Sequence, residues 1–166
     1  NPDNPSGSCH AAPLIRDFAA SLPTNCALLL DEAYGEFAPP GTADADLGDL
    51  PHVIRLRTFS KAYGLAGLRI GYALAHPAIL SGAQRVRNHF GKGRSAMAAA
   101  EAALGDQTWL AETLAGIDAA RRAMTGALRH AGLSPLPSAT NFVPAETTRG
   151  PVFAHALVAR RLSPAV

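Results

Sequence analysis

Three short apolar stretches constrain the fold most: Ala27-Leu28-Leu29-Leu30, Val53-Ile54-Arg55-Leu56-Arg57 and Arg69-Ile70-Gly71-Tyr72-Ala73-Leu74-Ala75. Their length and apolar content favour strands over helices. The first is continuous rather than alternating and runs into Asp31-Glu32. That is the pattern of a fully buried parallel strand delivering a carboxylate at its C-terminal end. Residues 13–22 carry apolar side chains at helical spacing (Leu14, Ile15, Phe18, Ala19, Leu22). Residues 1–7 and 37–51 are dense in turn formers and read as loops. Alternation of helix and strand up to Ala75 predicts an open α/β sheet. Such sheets place ligands at the C-terminal ends of their strands. Asp31, Thr58 and Ser60 all follow apolar strands and are expected to converge on one crevice.

From Pro77 the pattern turns helical, over 77–86, 95–104 and 107–131. Pro77 suits a first helical turn, and Gly132 suits a helix stop. Beyond it, Asn141-Phe142-Val143 reads as a strand and 152–161 as a helix. A domain boundary is placed within the long helix, dividing the chain into residues 1–118 and 119–166. The chain begins without a methionine in Asn1-Pro2-Asp3-Asn4-Pro5-Ser6-Gly7, and is read as an internal fragment.

Composition narrows the function classes. With 48% apolar and 17% charged residues, 166 residues can bury a sizeable core. A net charge of +2 with scattered arginines does not suit nucleic-acid binding. No apolar stretch is long enough to span a bilayer. Cys9 and Cys26 form no CxxC pair and read as reduced thiols of a cytoplasmic protein. His52, His76 and His89 lack metal-ligand spacing, and Gly91-Lys92-Gly93-Arg94 lacks the length and ending of a phosphate loop.

The chemistry is concentrated in Thr58-Phe59-Ser60-Lys61-Ala62-Tyr63-Gly64-Leu65-Ala66-Gly67-Leu68-Arg69-Ile70-Gly71-Tyr72. This run offers an amine able to form an imine, with hydroxyls and a guanidinium for a phosphate. It is equipment for holding a phosphorylated aldehyde. Only two lysines, Lys61 and Lys92, stand against thirteen arginines. Arginine keeps its charge, whereas a desolvated lysine can lose its proton and attack a carbonyl.

Four ordered motifs resemble those of the class I/II aminotransferases of fold-type I, and most of all the histidinol-phosphate aminotransferase branch. Residues 1–7 resemble that family's NPNNPTG, Asp31-Glu32-Ala33-Tyr34 its DEAY, residues 58–72 its TLSKAFGLAGLRxGY, and Ser138-Ala139-Thr140-Asn141-Phe142 its S-x-x-N-F segment. The stretch 86–94 departs from the proline-phenylalanine-asparagine segment of the histidinol-phosphate enzymes. The resemblance implies part of a large, mainly parallel-sheet domain followed by the start of a small C-terminal α/β domain. It also implies pyridoxal 5'-phosphate (PLP) as cofactor and a homodimeric whole protein.

Carried over residue by residue, Lys61 would form the imine with PLP and then move a proton between substrate Cα and the cofactor. Asp31 would pair with the pyridinium nitrogen. Tyr34 and Asn4 would bond the ring's 3′ oxygen, and Thr58, Ser60 and Arg69 would bind the phosphate. Asn141 is a candidate for facing substrate. The expected activity is transfer of an amino group between an amino acid or phosphorylated amino alcohol and a 2-oxo acid. The alternatives are a threonine-phosphate-type decarboxylase and a non-catalytic sensing domain of aminotransferase type. Because the resemblance implies cofactor and substrate contacts outside these 166 residues, the isolated chain is expected to bind PLP poorly and turn over little. Normal turnover by the soluble isolated chain would refute this.

Overall fold

The computed structural model describes residues 1–23, 25–42, 47–88 and 91–146. The first helix, α1 (Ala12–Ser21), has Pro13 in its opening turn, where a missing N–H costs nothing. Its Ile15 and Ala19 face the sheet, while Leu14 and Phe18 point outward. Strand β1 (Leu28–Asp31) follows and pairs in parallel with β2 (Val53–Thr58). Strand β3 (Gly71–Ala75) pairs antiparallel on the other side of β2, giving the order β1-β2-β3. Ala19, Leu30, Leu47 and Val53 form the buried cluster between α1 and the sheet.

Four helices and five strands occur among the described residues. After β3 come α2 (Pro77–Val86), α3 (Arg94–Gly105) and α4 (Gln107–His130). Helix α2 is capped by His76, whose Nδ1 accepts from the Ala78 N–H at 3.3 Å. Helix α4 is capped by Asp106, which accepts from the Trp109 N–H at 3.0 Å. Gly132, at φ +77°, ends α4 in the left-handed conformation that glycine adopts without strain. A two-residue ladder then joins β4 (Ser134–Pro135) to β5 (Ala145–Glu146). The second buried cluster is largely aromatic: Tyr34, Phe37, Phe59, Ala62 and Tyr63, backed by Ala100 of α3 and Leu110 of α4.

The open α/β sheet and the helix positions agree with the sequence reading, but three details differ. β1 is parallel to β2 yet not fully buried, because Leu29 is 62% exposed on the face opposite α1. Arg69 and Ile70 lie outside β3: Arg69 sits at φ 52°, ψ 50°, a left-handed conformation that interrupts an extended strand. β3 runs antiparallel to β2, joined to it by a compact reversal over 59–70 that contains no α-helix. Residues 141–143 form no strand. Ser138 Oγ accepts the Thr140 N–H at 3.2 Å and Thr140 Oγ1 accepts the Phe142 N–H at 3.4 Å, so local hydroxyls take the donors a ladder would need. The pairing falls instead at Ala145–Glu146. The helix read over 152–161 lies outside the described residues.

The reversal between β2 and β3 closes through Gly71, where a Cβ would lie 2.6 Å from the Arg57 carbonyl oxygen. That neighbour is backbone and cannot swing away. Gly71→Ala should therefore destabilise the fold by about 1–3 kcal/mol, read as a lower midpoint in equilibrium denaturation. A wild-type midpoint would show that the two strands can separate without cost.

Candidate active site

The parallel register sets Asp31 opposite Leu56, so both strands end at the same edge of the sheet. From that edge a cleft of about 320 Å³ opens, lined by Asp31, Ala33, Leu56, Arg57, Thr58, Ser60, Lys61 and Arg69. Five of the eight candidate residues, namely Asp31, Thr58, Ser60, Lys61 and Arg69, thus share one cavity. Asp31 is exposed, and its Oδ1 accepts the Ala33 N–H at 2.9 Å. That bond fixes the carboxylate and leaves Oδ2 free among the described residues. Thr58 Oγ1 accepts the Ser60 N–H at 3.1 Å, bending the chain as it leaves β2.

The lysine-bearing turn is anchored from below by its own aromatic residues. Phe59 and Tyr63 are buried with ring centroids 5.1 Å apart, while Lys61 between them is exposed. Backbone bonds from the Phe59 N–H to Ile70 O (3.2 Å) and from the Leu65 N–H to Phe59 O (2.9 Å) close the turn. Gly64 takes φ +69° within it. Arg69 ends the following 3₁₀ turn, Ala66–Leu68, in the left-handed conformation, and its Nη1 donates to Ala66 O at 2.9 Å. A non-glycine residue held there is under backbone strain, a feature that concentrates at functional sites.

Tyr34 and Asn4 stand beside the cleft rather than in its lining. Lys61 Nζ lies 5.1 Å from the centroid of the Tyr34 ring. The Tyr34 hydroxyl accepts from Asn4 Nδ2 at 2.9 Å. Asn141 is exposed at a bend and does not line the cleft. Its neighbour Phe142 instead meets Tyr34 edge-on, at 5.7 Å and 89°. Phe142 escaped the sequence reading because a strand assignment hid the bend that turns it inward.

The sequence reading also gave no role to the ionic group at the cleft's edge. Glu32, 2% exposed, accepts from Arg55 and from Arg57, and Arg57 also donates to Glu36. Arginines two apart on a strand share a face, so Arg55 and Arg57 in an apolar run called for a buried acid opposite. Burial alone would lower the Arg57 pKa, but Glu32 and then Glu36 outweigh it and hold the guanidinium above its ordinary value. Tyr63 is pushed upward, chiefly by burial and then by Glu36.

Among the described residues no group of three or more His, Cys, Asp or Glu could hold a metal ion. No helix among them is long and apolar enough to cross a membrane.

The cleft thus brings a lysine, a carboxylate, two hydroxyls and a guanidinium together at one strand edge of an α/β sheet. The sequence model of "Aminotransferase class I and II" matches residues 1–162, and the chain belongs to that family. It is 46% identical over 145 residues to a histidinol-phosphate aminotransferase of Oleidesulfovibrio alaskensis, covering 86% of this chain and 38% of that protein. It is 39% identical over 158 residues to histidinol-phosphate aminotransferase 2 of Pseudomonas aeruginosa, covering 92% and 43% respectively. Its structure superposes with a TM-score of 0.90 and 48% identity on a histidinol-phosphate aminotransferase from Sinorhizobium meliloti in complex with pyridoxal-5'-phosphate, covering 96% of this chain and 44% of that one. The fold is that of the fold-type I aminotransferases. The chain spans less than half the length of these relatives.

The Asn4–Tyr34 bond is the one hydrogen bond between two of the candidate side chains. A double-mutant cycle of Asn4→Ala and Tyr34→Phe should give a coupling of about 0.5–1.5 kcal/mol in denaturation. Additive effects would mean that the bond contributes nothing.

Proposed function

We propose that this chain forms part of a PLP-dependent aminotransferase. The amino group would pass between a phosphorylated amino alcohol of the histidinol-phosphate kind and a 2-oxo acid. One observation carries the reading: a single cleft collects Asp31, Thr58, Ser60 and Lys61 from the ends of two neighbouring strands and Arg69 from the reversal that follows. The donor set fits PLP. A primary amine meets an aldehyde, a carboxylate meets a ring nitrogen, and hydroxyls with a guanidinium meet a phosphate. The curated relatives' names and the PLP complex of the Sinorhizobium meliloti protein support the same choice.

When bound, PLP supplies a reactive carbonyl carbon and an electron-withdrawing ring. Lys61 would hold it through Nζ and, once released, carry a proton on and off the substrate Cα. Asp31, oriented by the Ala33 N–H, would keep a positive charge on the ring nitrogen. Tyr34, oriented by Asn4, would place its hydroxyl toward the ring oxygen. Arg69, Ser60 and Thr58 would take the phosphate, and Thr58 also shapes the turn by accepting the Ser60 N–H. Asn141, exposed outside the cleft lining, would contact substrate.

The reading divides the chain inside α4, with residues 1–118 belonging to the cofactor domain and 119–166 to a second unit. Leu110, Leu114 and Ile117 of α4 pack into the aromatic cluster, whereas Arg121 donates to Thr140 O at 3.0 Å in the segment that follows. It also takes the whole protein to be a cytoplasmic homodimer, supported by the family resemblance and by the free thiols Cys9 and Cys26.

The test is borohydride reduction of the whole protein with PLP, followed by peptide mapping. PLP should be fixed on Lys61, with label and near-visible absorbance both lost in Lys61→Ala. The protein should then convert histidinol phosphate with 2-oxoglutarate as acceptor. Label elsewhere, or release of carbon dioxide without amino transfer, would sink the reading.

A further inference from the structure

At the edge of the cleft, four charged side chains form a network that the proposed chemistry does not use. Arg55 grips Glu32 with a fork, Nε to Oε2 and Nη2 to Oε1, each at 2.9 Å. That pair alone satisfies the buried carboxylate. Arg57 nevertheless adds a third bond to Glu32, Nε to Oε2 at 2.9 Å, and a fourth to Glu36, Nη1 to Oε1 at 3.2 Å. Glu36 Oε2 is buried with no hydrogen-bond partner among the described residues. A second buried ion pair beside a complete one is a poor source of stability, and an orphaned buried oxygen is a cost. Pairing of Glu32 alone therefore does not account for Arg57, which also holds the buried Glu36.

Position does. Arg55 does not line the cleft and Arg57 does, directly before Thr58 and three residues before Ser60-Lys61. Both of its acceptors lie in the turn that carries Asp31 and Tyr34. Its guanidinium bridges the two chain segments that hold all the proposed cofactor contacts except Asn4 and Arg69. The turn also leaves it room: a Cβ on Gly35 would lie 3.2 Å from Arg57 Cζ and Nη1.

Building on the proposed function, we propose that Arg57 is a positioning residue. Clamped between Glu32 and Glu36, it fixes Thr58, Ser60 and Lys61 at the end of β2 against Asp31 and Tyr34 after β1. It does not touch the reacting atoms. Its worth lies in holding an amine and a carboxylate at the spacing one cofactor must span, where small displacements are costly.

The test uses the whole protein and two variants. Arg57→Lys keeps the charge but replaces a planar fork with a point donor that cannot serve both carboxylates in the same geometry. Gly35→Ala leaves every charge in place and pushes the guanidinium by a few tenths of an ångström. Each should weaken PLP binding about tenfold, the loss expected for a displaced charge-assisted contact. Each should also lower kcat more than KM. Should Arg57→Lys fail to fold, Gly35→Ala decides alone. Variants that melt lower without cofactor yet bind PLP as wild type does would overturn the inference and leave the network purely structural. Wild type that takes no PLP on Lys61 would instead overturn the functional reading, and this inference with it.

Discussion

Parallel pairing of β1 with β2 is the constraint on which the rest depends. With Leu28 opposite Val53 and Asp31 opposite Leu56, both strands finish at one edge, pointing the same way. Side chains that follow the two strands must then emerge together, although some thirty residues separate Asp31 from Lys61. A one-residue slip would send Asp31 to the opposite face of the sheet, because strand side chains alternate. The burial of Leu30 and Val53 against Ala19 resists that slip, since the same shift would expose them. The register that builds the core thus also places the candidate site.

A second constraint works from beneath. The lysine-bearing turn contains no regular secondary structure of its own beyond the 3₁₀ turn Ala66–Leu68. It is fixed by Phe59, Ala62 and Tyr63, buried against Tyr34, Phe37 and residues of α3 and α4. Helices far from the cleft in sequence are therefore part of its foundation. Packing holds the backbone while Lys61 itself stays exposed, so the structure of the chain alone does not desolvate the amine and leaves it open to a ligand.

Much of this could be read in the sequence because the decisive signals were local. Apolar runs of strand length marked β1 and β2, and Pro77 and Gly132 marked the start and stop of helices now seen at their sides. The misses have a common physical origin in contacts between distant segments. Whether Leu29 is covered depends on what lies on the far side of the sheet. The bend at 138–142 arises from hydroxyls competing for backbone donors, and it docks on the first loop through the bond from the Ala139 N–H to Gly7 O at 2.8 Å. Gly7, at φ +73°, permits that approach because any Cβ there would meet Ser138 Oγ at 2.7 Å. No periodicity records such a contact. For the same reason Phe142 was hidden behind Asn141, and Arg57 was read as a strand residue rather than as a bridge.

The distribution of cations gives the site a simple electrostatic logic. Three basic side chains line the cleft, and one of them, Arg57, is offset by two carboxylates. Among the described residues Arg69 makes no ion pair; its Nη1 donates to the Ala66 backbone carbonyl. A phosphate entering the cleft would therefore be drawn toward Arg69 rather than toward the guanidinium committed to Glu32 and Glu36. Under the proposed function the third cation, Lys61, must be the group that gives up its proton. Arginine cannot, so of the three cations lining the cleft the proposed function can use only Lys61 as its amine.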